Sequence, residues 1–250
     1  MLDAAARLFA RRGVEATSMA DIGEEAGYSR GLANHHFGSR VELVERLARR
    51  AQSDLVAALG EIGGRELWDV AAMLGIGGQG GAATDLGEGG AADEELLRRL
   101  ARPAGSRVPE GLGDAGVELR ALAVMADVYL AVVGLRSDAA RAFFVMWGAA
   151  FPEETALRPV FVVDDARFRR GVEKVVRLGQ QNLTIKPEID PAGVAVAVVG
   201  MLRGIAAQFT VDPDGVDLAA ARRVGAQFLR DTLMPAPVPA KQQDIRNEQT

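Results

Sequence analysis

The sequence predicts an all-α protein in which a small N-terminal domain of three helices is joined by a long fourth helix to a larger helical domain. Apolar residues recur at helical spacing on both sides of a glycine-rich stretch, and capping residues or glycines stand at the ends of the periodic segments. We therefore expect domains at 1–46 and 47–234, a flexible glycine-rich insertion at about 60–116, and a disordered tail at 235–250.

The first two helices are short and well delimited. Leu2–Arg12 carries one apolar stripe and is followed by Gly13, which ends a helix readily. The second helix should begin at Ser18, because Asp21 stands at the position from which it can complete a capping box, and should end before Gly27. Two helices separated by a few residues at this point predict a helix-turn-helix.

The third and fourth helices begin at serines. Ser29 is predicted to cap a helix that runs to about His36, and Ser39 with Glu42 forms a capping box that opens a long helix reaching about Leu59. The apolar residues on the inner faces of these four helices predict a small core: Phe9, Ile22, Leu32, Phe37 and Leu43.

Helical periodicity also dominates the C-terminal half. Five further helices are predicted at about 118–135, 138–150, 159–181, 190–209 and 217–233. Between the two helical regions, residues 60–116 hold 15 of the 29 glycines. A phosphate-binding loop is the alternative for these glycines, but no Gly-Lys-Ser/Thr follows them and no strand pattern precedes them.

Composition excludes several classes of site. The chain has no cysteine and only two histidines, His35 and His36, so disulfides, thiolate catalysis and most histidine-based metal sites or triads are excluded. We expect no cofactor and no metal. No signal-peptide pattern and no uninterrupted run of eighteen apolar residues is present, which predicts a cytoplasmic protein without a membrane partner.

The net charge of −5 is unevenly distributed. Residues 1–50 carry eight arginines against seven acidic residues, a formal charge of +1, whereas the remainder carries 21 basic and 27 acidic residues, a formal charge of −6. An acidic protein can therefore still bind nucleic acid through its N-terminal end, although an asymmetry of this size is a weak signal by itself.

An ordered set of residues over 2–47 gives the strongest signal for function. The set comprises Leu2, Asp3, Ala4, Ala5, Leu8, Phe9 and Gly13, then Thr17, Ser18, Met19, Asp21, Ile22, Ala26 and Gly27, then Ser29, Gly31, His36, Phe37, Ser39, Arg40 and Leu43. It closely resembles the DNA-binding domain of the TetR family of transcriptional regulators. The resemblance implies a homodimeric repressor that binds palindromic double-stranded operator DNA and is released by a small molecule held in the C-terminal domain.

Residues around the third helix are the candidate DNA contacts. We expect Arg30 to reach guanine, Asn34 to contact adenine or a phosphate, and the residues at helix N-termini to bind phosphate. The full set is Thr17, Ser18, Ser29, Arg30, Gly31, Ala33, Asn34, His35 and Arg40. His36 is expected to pack beneath the domain. Serine caps and an exposed arginine are also ordinary structural features, so these assignments combine two roles.

Two residues depart from the family pattern. Asn34 stands where members usually have tyrosine, so an aromatic phosphate contact is missing there. Gly23 replaces the usual alanine in the second helix, at a cost of about 1 kcal/mol in helix propensity.

Aromatic and methionine side chains concentrate between residues 125 and 168. They suit a mostly apolar ligand pocket and equally suit a plain core. The candidate ligand-binding residues are Met125, Tyr129, Arg141, Phe144, Trp147, Phe151 and Phe168.

The resemblance implies dimerisation through the last two helices, which are strongly apolar. The candidate interface residues are Val194, Val198, Met201, Leu202, Ile205, Val224 and Phe228. The fourth helix touches both domains, so we expect it to transmit the effector signal to the DNA-binding domain, with the glycine-rich insertion covering the pocket mouth.

Two alternatives remain open at this point. One is a DNA-binding scaffold that senses no ligand. The other is a helical enzyme that uses Asp127 or the pairs Glu153-Glu154 and Asp164-Asp165 for acid–base chemistry, although we interpret these carboxylates as exposed residues at helix ends.

Overall fold

The computed structural model describes residues 1–29, 31–50 and 112–236. In these ranges the chain forms nine helices and no strand. The helices are α1 (Leu2–Arg12), α2 (Met19–Glu25), α3 (Leu32–Phe37), α4 (40–50), α5 (Val117–Gly134), α6 (Asp138–Gly148), α7 (Arg158–Gln181), α8 (Pro191–Val211) and α9 (Leu218–Leu233). The predicted all-α fold is confirmed. Arg30, most of the predicted insertion, the end of the fourth helix and most of the tail lie outside the described residues.

Helices α1 to α4 form the N-terminal unit, which we call the head. The Ser18 hydroxyl accepts from the Asp21 amide at 3.1 Å, and the Asp21 carboxylate accepts from the Ser18 amide at 2.9 Å, which confirms the capping box. Gly27 follows α2 with a φ of +76°, a left-handed conformation that glycine adopts without strain. The turn between α2 and α3 therefore depends on this glycine.

Two details of α3 differ from the prediction. Leu32 is 36% exposed rather than part of the core, because α3 buries Ala33 and Phe37 on one face and Leu32 precedes that face by about 100°. Ser29 does not cap α3 through its side chain: its carbonyl accepts from the Leu32 amide at 3.0 Å, and Gly31 is the capping residue. The other predicted core residues of the head, Phe9, Ile22, Phe37 and Leu43, are buried.

Helices α5 to α9 form the body. Helix α5 is central and packs against α7, α8 and α9, while α7 packs most extensively against α8. The boundaries agree with the prediction to within about two residues, because each start is encoded locally. Asp190 caps α8, with Pro191 as its first residue, and Asp217 caps α9.

The head contacts the body through α1. This helix packs along α6, so the fourth helix is not the only element that joins the head to the body. Reorientation of α6 would therefore act on the head directly.

Helix α8 is the one described helix long and apolar enough to cross a membrane by length and composition. It packs against α7 within the body, and Ala195, Val198 and Leu202 are buried there. An apolar helix of this kind also suits the centre of a soluble domain or a subunit interface.

Candidate DNA interface and sensing core

Helix α3 presents a polar face to solvent. Asn34 and His35 are exposed, whereas Ala33 is fully buried against the head core. Ala33 therefore fixes α3 to the head. Its predicted contact with DNA is wrong, because Ala33 lies on the buried face of α3 and not on the face that exposes Asn34 and His35. Ser29 and Gly31 are exposed at the start of α3.

The serine caps remain exposed, whereas Thr17 does not. Ser18 and Ser39 are exposed at the N-terminal ends of α2 and α4, and the Ser39 hydroxyl accepts from the Glu42 amide at 3.2 Å. Backbone amides at such ends favour a phosphate oxygen. Thr17 is 1% exposed and its hydroxyl donates to the Gly13 carbonyl at 2.8 Å, so it stabilises the loop and is not available to DNA.

Arg40 is engaged within the protein. Its Nη2 donates to the Val14 carbonyl and lies 3.9 Å from the Glu15 carboxylate. These contacts tie the start of α4 to the loop between α1 and α2. The structure thus gives Arg40 a positioning role in the head, where the sequence predicted a phosphate contact.

Two further aromatic side chains of the head are exposed. His36 is exposed with its ring edge-on to Phe37 at 4.6 Å, so it does not pack beneath the domain as predicted. Tyr28 was overlooked in the sequence: it is 53% exposed immediately before α3, and its amide donates to the Gly23 carbonyl at 2.9 Å. An aromatic residue in the turn of a helix-turn-helix was the signal that could have identified it as a candidate phosphate contact.

A cleft of about 410 Å³ separates the head from the body. Val14, Arg40 and Val44 line the head side, and the body side is formed by the segment 149–157 that follows α6, including Leu157. The head therefore meets α6 through α1 and faces the continuation of α6 across this cleft.

Most of the predicted ligand-binding residues meet inside the body. The rings of Tyr129 and Phe168 are 6.0 Å apart and those of Phe144 and Trp147 are 6.4 Å apart, while Met125 is 1% exposed in the same core. The structure does not bring all of them together. Arg141 is exposed beside a surface hollow near Phe209, and Phe151 is 64% exposed with its ring 4.9 Å from that of Trp147.

Arg203 lies at the centre of these aromatic residues and was missed in the sequence. It is 4% exposed, its Nη1 donates to the Tyr129 hydroxyl at 3.2 Å, and its Nη2 donates to Asp164 at 3.1 Å and to Asp165 at 2.9 Å. The indole N–H of Trp147 donates to the other oxygen of Asp165 at 3.1 Å. The signal was available, because Arg203 is the one charged residue of α8, whose other residues are apolar except for Gln208 and Thr210. We call Arg203, Asp164, Asp165, Tyr129 and Trp147 the Arg203 junction.

The junction alters the chemistry of its members. Burial raises the pKa of Asp164, and the positive charge of Arg203 opposes that shift. Burial likewise raises the pKa of Tyr129, so its hydroxyl stays neutral. The expectation that Asp164 and Asp165 are exposed at a helix end is wrong, since both lie within α7 and turn toward the body core.

The other predicted carboxylates have simpler surroundings. Asp127 of α5 accepts two hydrogen bonds from Arg222 of α9, both at 2.7 Å, in a bidentate pair. Glu153 and Glu154 are exposed, as expected.

The outer surface of α8 and α9 is apolar and partly open. Val196, Val224 and Phe228 are 58%, 47% and 61% exposed. The sequence predicted Val198 and Leu202 as interface residues, but they are 4% and 0% exposed because they face the body core of their own subunit. Among the other predicted interface residues, Val194, Met201 and Ile205 are half-buried.

Two family descriptions match the chain. "Bacterial regulatory proteins, tetR family" matches residues 1–47, and "BetI-type transcriptional repressor, C-terminal" matches residues 118–234. The HTH-type transcriptional repressor KstR2 of Rhodococcus jostii is 42% identical over 62 residues, which are 25% of this chain and 30% of that relative. The HTH-type transcriptional regulator BetI of Agrobacterium fabrum is 41% identical over 63 residues, 24% of this chain and 31% of that relative. Each alignment thus spans about a third of the relative's length.

Solved structures resemble the whole fold. FadR from Bacillus subtilis in complex with stearoyl-CoA has a TM-score of 0.61 at 12% identity, with coverage of 91% of this chain and 95% of that chain. SmeT of Stenotrophomonas maltophilia in complex with triclosan has a TM-score of 0.62 at 16% identity, with coverage of 95% and 96%. At these identities the likeness shows the fold alone. The helix-turn-helix head, the helical body and the two family matches together show that this chain belongs to the TetR family of transcriptional regulators.

Proposed function

We propose that this chain is a dimeric cytoplasmic repressor that binds palindromic operator DNA through α3 and is released when a small, largely apolar effector binds the body. One observation carries the proposal: α3 exposes Asn34 and His35 while Ala33 and Phe37 lock its opposite face into the head. A recognition helix needs this arrangement, because its polar face must enter the major groove without moving relative to the head.

The surroundings of α3 support DNA as the partner. The exposed caps Ser18 and Ser39 present helix N-termini, and Tyr28 adds a phenol in the turn before α3. The net acidic charge of the chain lies outside residues 1–50, which carry a formal charge of +1. In this proposal the chain acts by binding rather than by catalysis. The carboxylates of Asp164 and Asp165 accept hydrogen bonds from Arg203 instead of acting as an acid and a base.

The proposed dimer uses the outer surface of α8 and α9. Val196, Val224 and Phe228 expose large apolar side chains there, and a second subunit would remove them from water. A two-fold interface also supplies the paired recognition helices that a palindromic site requires.

The effector proposal rests on the aromatic core of the body and on the structural neighbours. SmeT and FadR are described with triclosan and with stearoyl-CoA, both of which have a large apolar part. An apolar effector among Phe144, Trp147 and Phe168 would act on α6, which packs on α1. The sequence analysis expected α4 to transmit the effector signal to the head. The contact between α1 and α6 adds a second route for that signal.

The experiment selects binding sites for the full chain from random double-stranded DNA and then measures affinity for the selected operator. Asn34→Ala should lose about 1 to 3 kcal/mol of binding free energy and relax sequence preference at one or two base pairs per half-site. Gln181→Ala removes an exposed amide from the body and serves as the matched control. Selection of no common sequence, or equal loss in both variants, contradicts the proposal.

A further inference from the structure

We propose that Asp165 is the positioning residue through which α8 holds α6, and thereby the DNA-binding head, in the operator-binding orientation. This inference rests on the proposed function and names the residues that regulate it. Asp165 accepts from Arg203 of α8 through one oxygen and from Trp147 of α6 through the other, so a single carboxylate joins the two helices.

The contact fixes α6 in two independent ways. Besides the hydrogen bond from the Trp147 indole to Asp165, the Arg203 guanidinium lies over the Phe143 ring at 4.5 Å and is 5.9 Å from the Trp147 ring. Phe143 and Trp147 are one helical turn apart on α6. Rotation or translation of α6 would therefore break the hydrogen bond and the ring contacts at the same time.

The position of α6 sets the position of the head. Helix α1 packs along α6, and the segment 149–157 that continues from α6 forms the body wall of the cleft opposite Val14 and Arg40. Arg40 in turn ties the start of α4 to the loop after α1. A change at the end of α6 thus reaches the head both through α1 and across the cleft.

The junction has a second hydrogen-bonding arrangement available. Two carboxylates share the Nη2 of Arg203, whereas its buried Nε has no hydrogen-bond partner among the residues that the structure describes. A carboxylate that moved onto Nε would make the side-on bidentate pair that arginine forms readily. If Asp165 makes this move it leaves Trp147, and α6 is released. Two arrangements of one buried charge cluster are the kind of bistable element that an effector can bias.

The test compares Trp147→Phe, Asp165→Asn and the double variant in the full-length protein. Phenylalanine keeps an aromatic ring at 147 and removes the N–H donor together with one of the two rings of the indole. We expect each single variant to lose about fivefold or more in affinity for the operator selected by the wild type. The double variant should lose less affinity than the sum of the two single losses, because both substitutions act on the hydrogen bond between Trp147 and Asp165.

Glu118→Gln is the matched control. Glu118 is a fully buried carboxylate of the body, which accepts from Asn182 at 2.7 Å and from Thr184 at 2.5 Å, and neither partner lies on α6. It should lower the thermal midpoint without changing operator affinity. Wild-type affinity in Trp147→Phe, or an equal loss of affinity in Glu118→Gln, overturns the proposal. If Asp165→Asn fails to fold, Trp147→Phe alone decides.

A second measurement needs no DNA. Amide hydrogen exchange in α1 should be faster in Trp147→Phe than in the wild type and unchanged in Glu118→Gln, because only the first variant loosens the helix on which α1 packs. Equal exchange in α1 for wild type and Trp147→Phe overturns the inference. If the wild type selects no operator, the proposed function fails and the exchange comparison still decides whether the junction holds the head.

Discussion

At the scale of single residues, Asp164 illustrates how burial makes stability depend on pH. Its pKa is raised above the ordinary value of 3.8 by burial, which outweighs the nearby Arg203 and is reinforced by Asp165. Between 3.8 and the raised value, the folded chain holds a proton that the unfolded chain has released. This group therefore stabilises the fold most at low pH, and its contribution is lost as pH rises through the folded pKa.

Asp164→Asn should remove that dependence. Relative to the wild type, the variant should become progressively more stable as pH rises from 3.8 through the raised pKa of Asp164, in addition to any pH-independent difference between the two proteins. Thermal unfolding of both proteins across this pH range measures the difference. A difference in thermal midpoint that stays constant with pH would contradict the prediction.

Arg40 makes a contact within the head that residue-level prediction did not find. The sequence placed a cation at the N-terminus of α4, where contact with phosphate is favourable. Its guanidinium instead binds the Val14 carbonyl, which is 26 residues earlier and becomes available where α1 ends at Gly13. Arg203 is a similar case, since its partners on α5 and α7 are 38 to 74 residues away. Side-chain periodicity carries no information on such distant acceptors.

At the scale of helices, the ends were predictable and the faces were not. Ser18, Asp190 and Asp217 cap the helices that they were predicted to begin, because a cap needs only a few consecutive residues. Helix α8 is apolar on all sides from Pro191 to Leu202, so no amphipathic stripe distinguishes its inner face from its outer face there. Val198 and Leu202 were misassigned for this reason.

The outer face of α9 gives a test of the dimer. Phe228→Glu and Val224→Glu place a charge on exposed positions, so each subunit should stay folded while the dimer dissociates and operator binding is lost. Light scattering and thermal unfolding measure the two effects.

The controls separate association from folding. Val162→Glu changes a comparably exposed valine of α7 and should stay dimeric. Val198→Glu should lower the thermal midpoint strongly, because it buries a charge in the body core. Phe228→Glu that remains a dimer would place the interface elsewhere.

At the scale of the whole molecule, the proposed function requires two heads at a separation matched to the operator. The chain contains no cysteine, so Ala16→Cys, at an exposed position in the loop between α1 and α2, offers one site for a spin label in each subunit. The dimer should give a broad distribution of distances between labels, which narrows when operator DNA fixes the two heads. Double electron–electron resonance measures it. If no dipolar coupling between two labels is detected, or if operator DNA leaves the distance distribution unchanged, this arrangement is contradicted.

The glycines on the outer surface of α8 bear on which chains can pair. A Cβ added to Gly200 or Gly204 would meet nothing within 4 Å among the described residues of the subunit, so the α8 backbone is open to solvent at these two points. In the proposed dimer a partner helix can approach the α8 backbone closely there. A related regulator with leucine or phenylalanine at the facing positions would be held away by steric overlap. In the proposed dimer, the two glycines would therefore favour pairing of the chain with its own copy, so that both half-sites are read by the same kind of head.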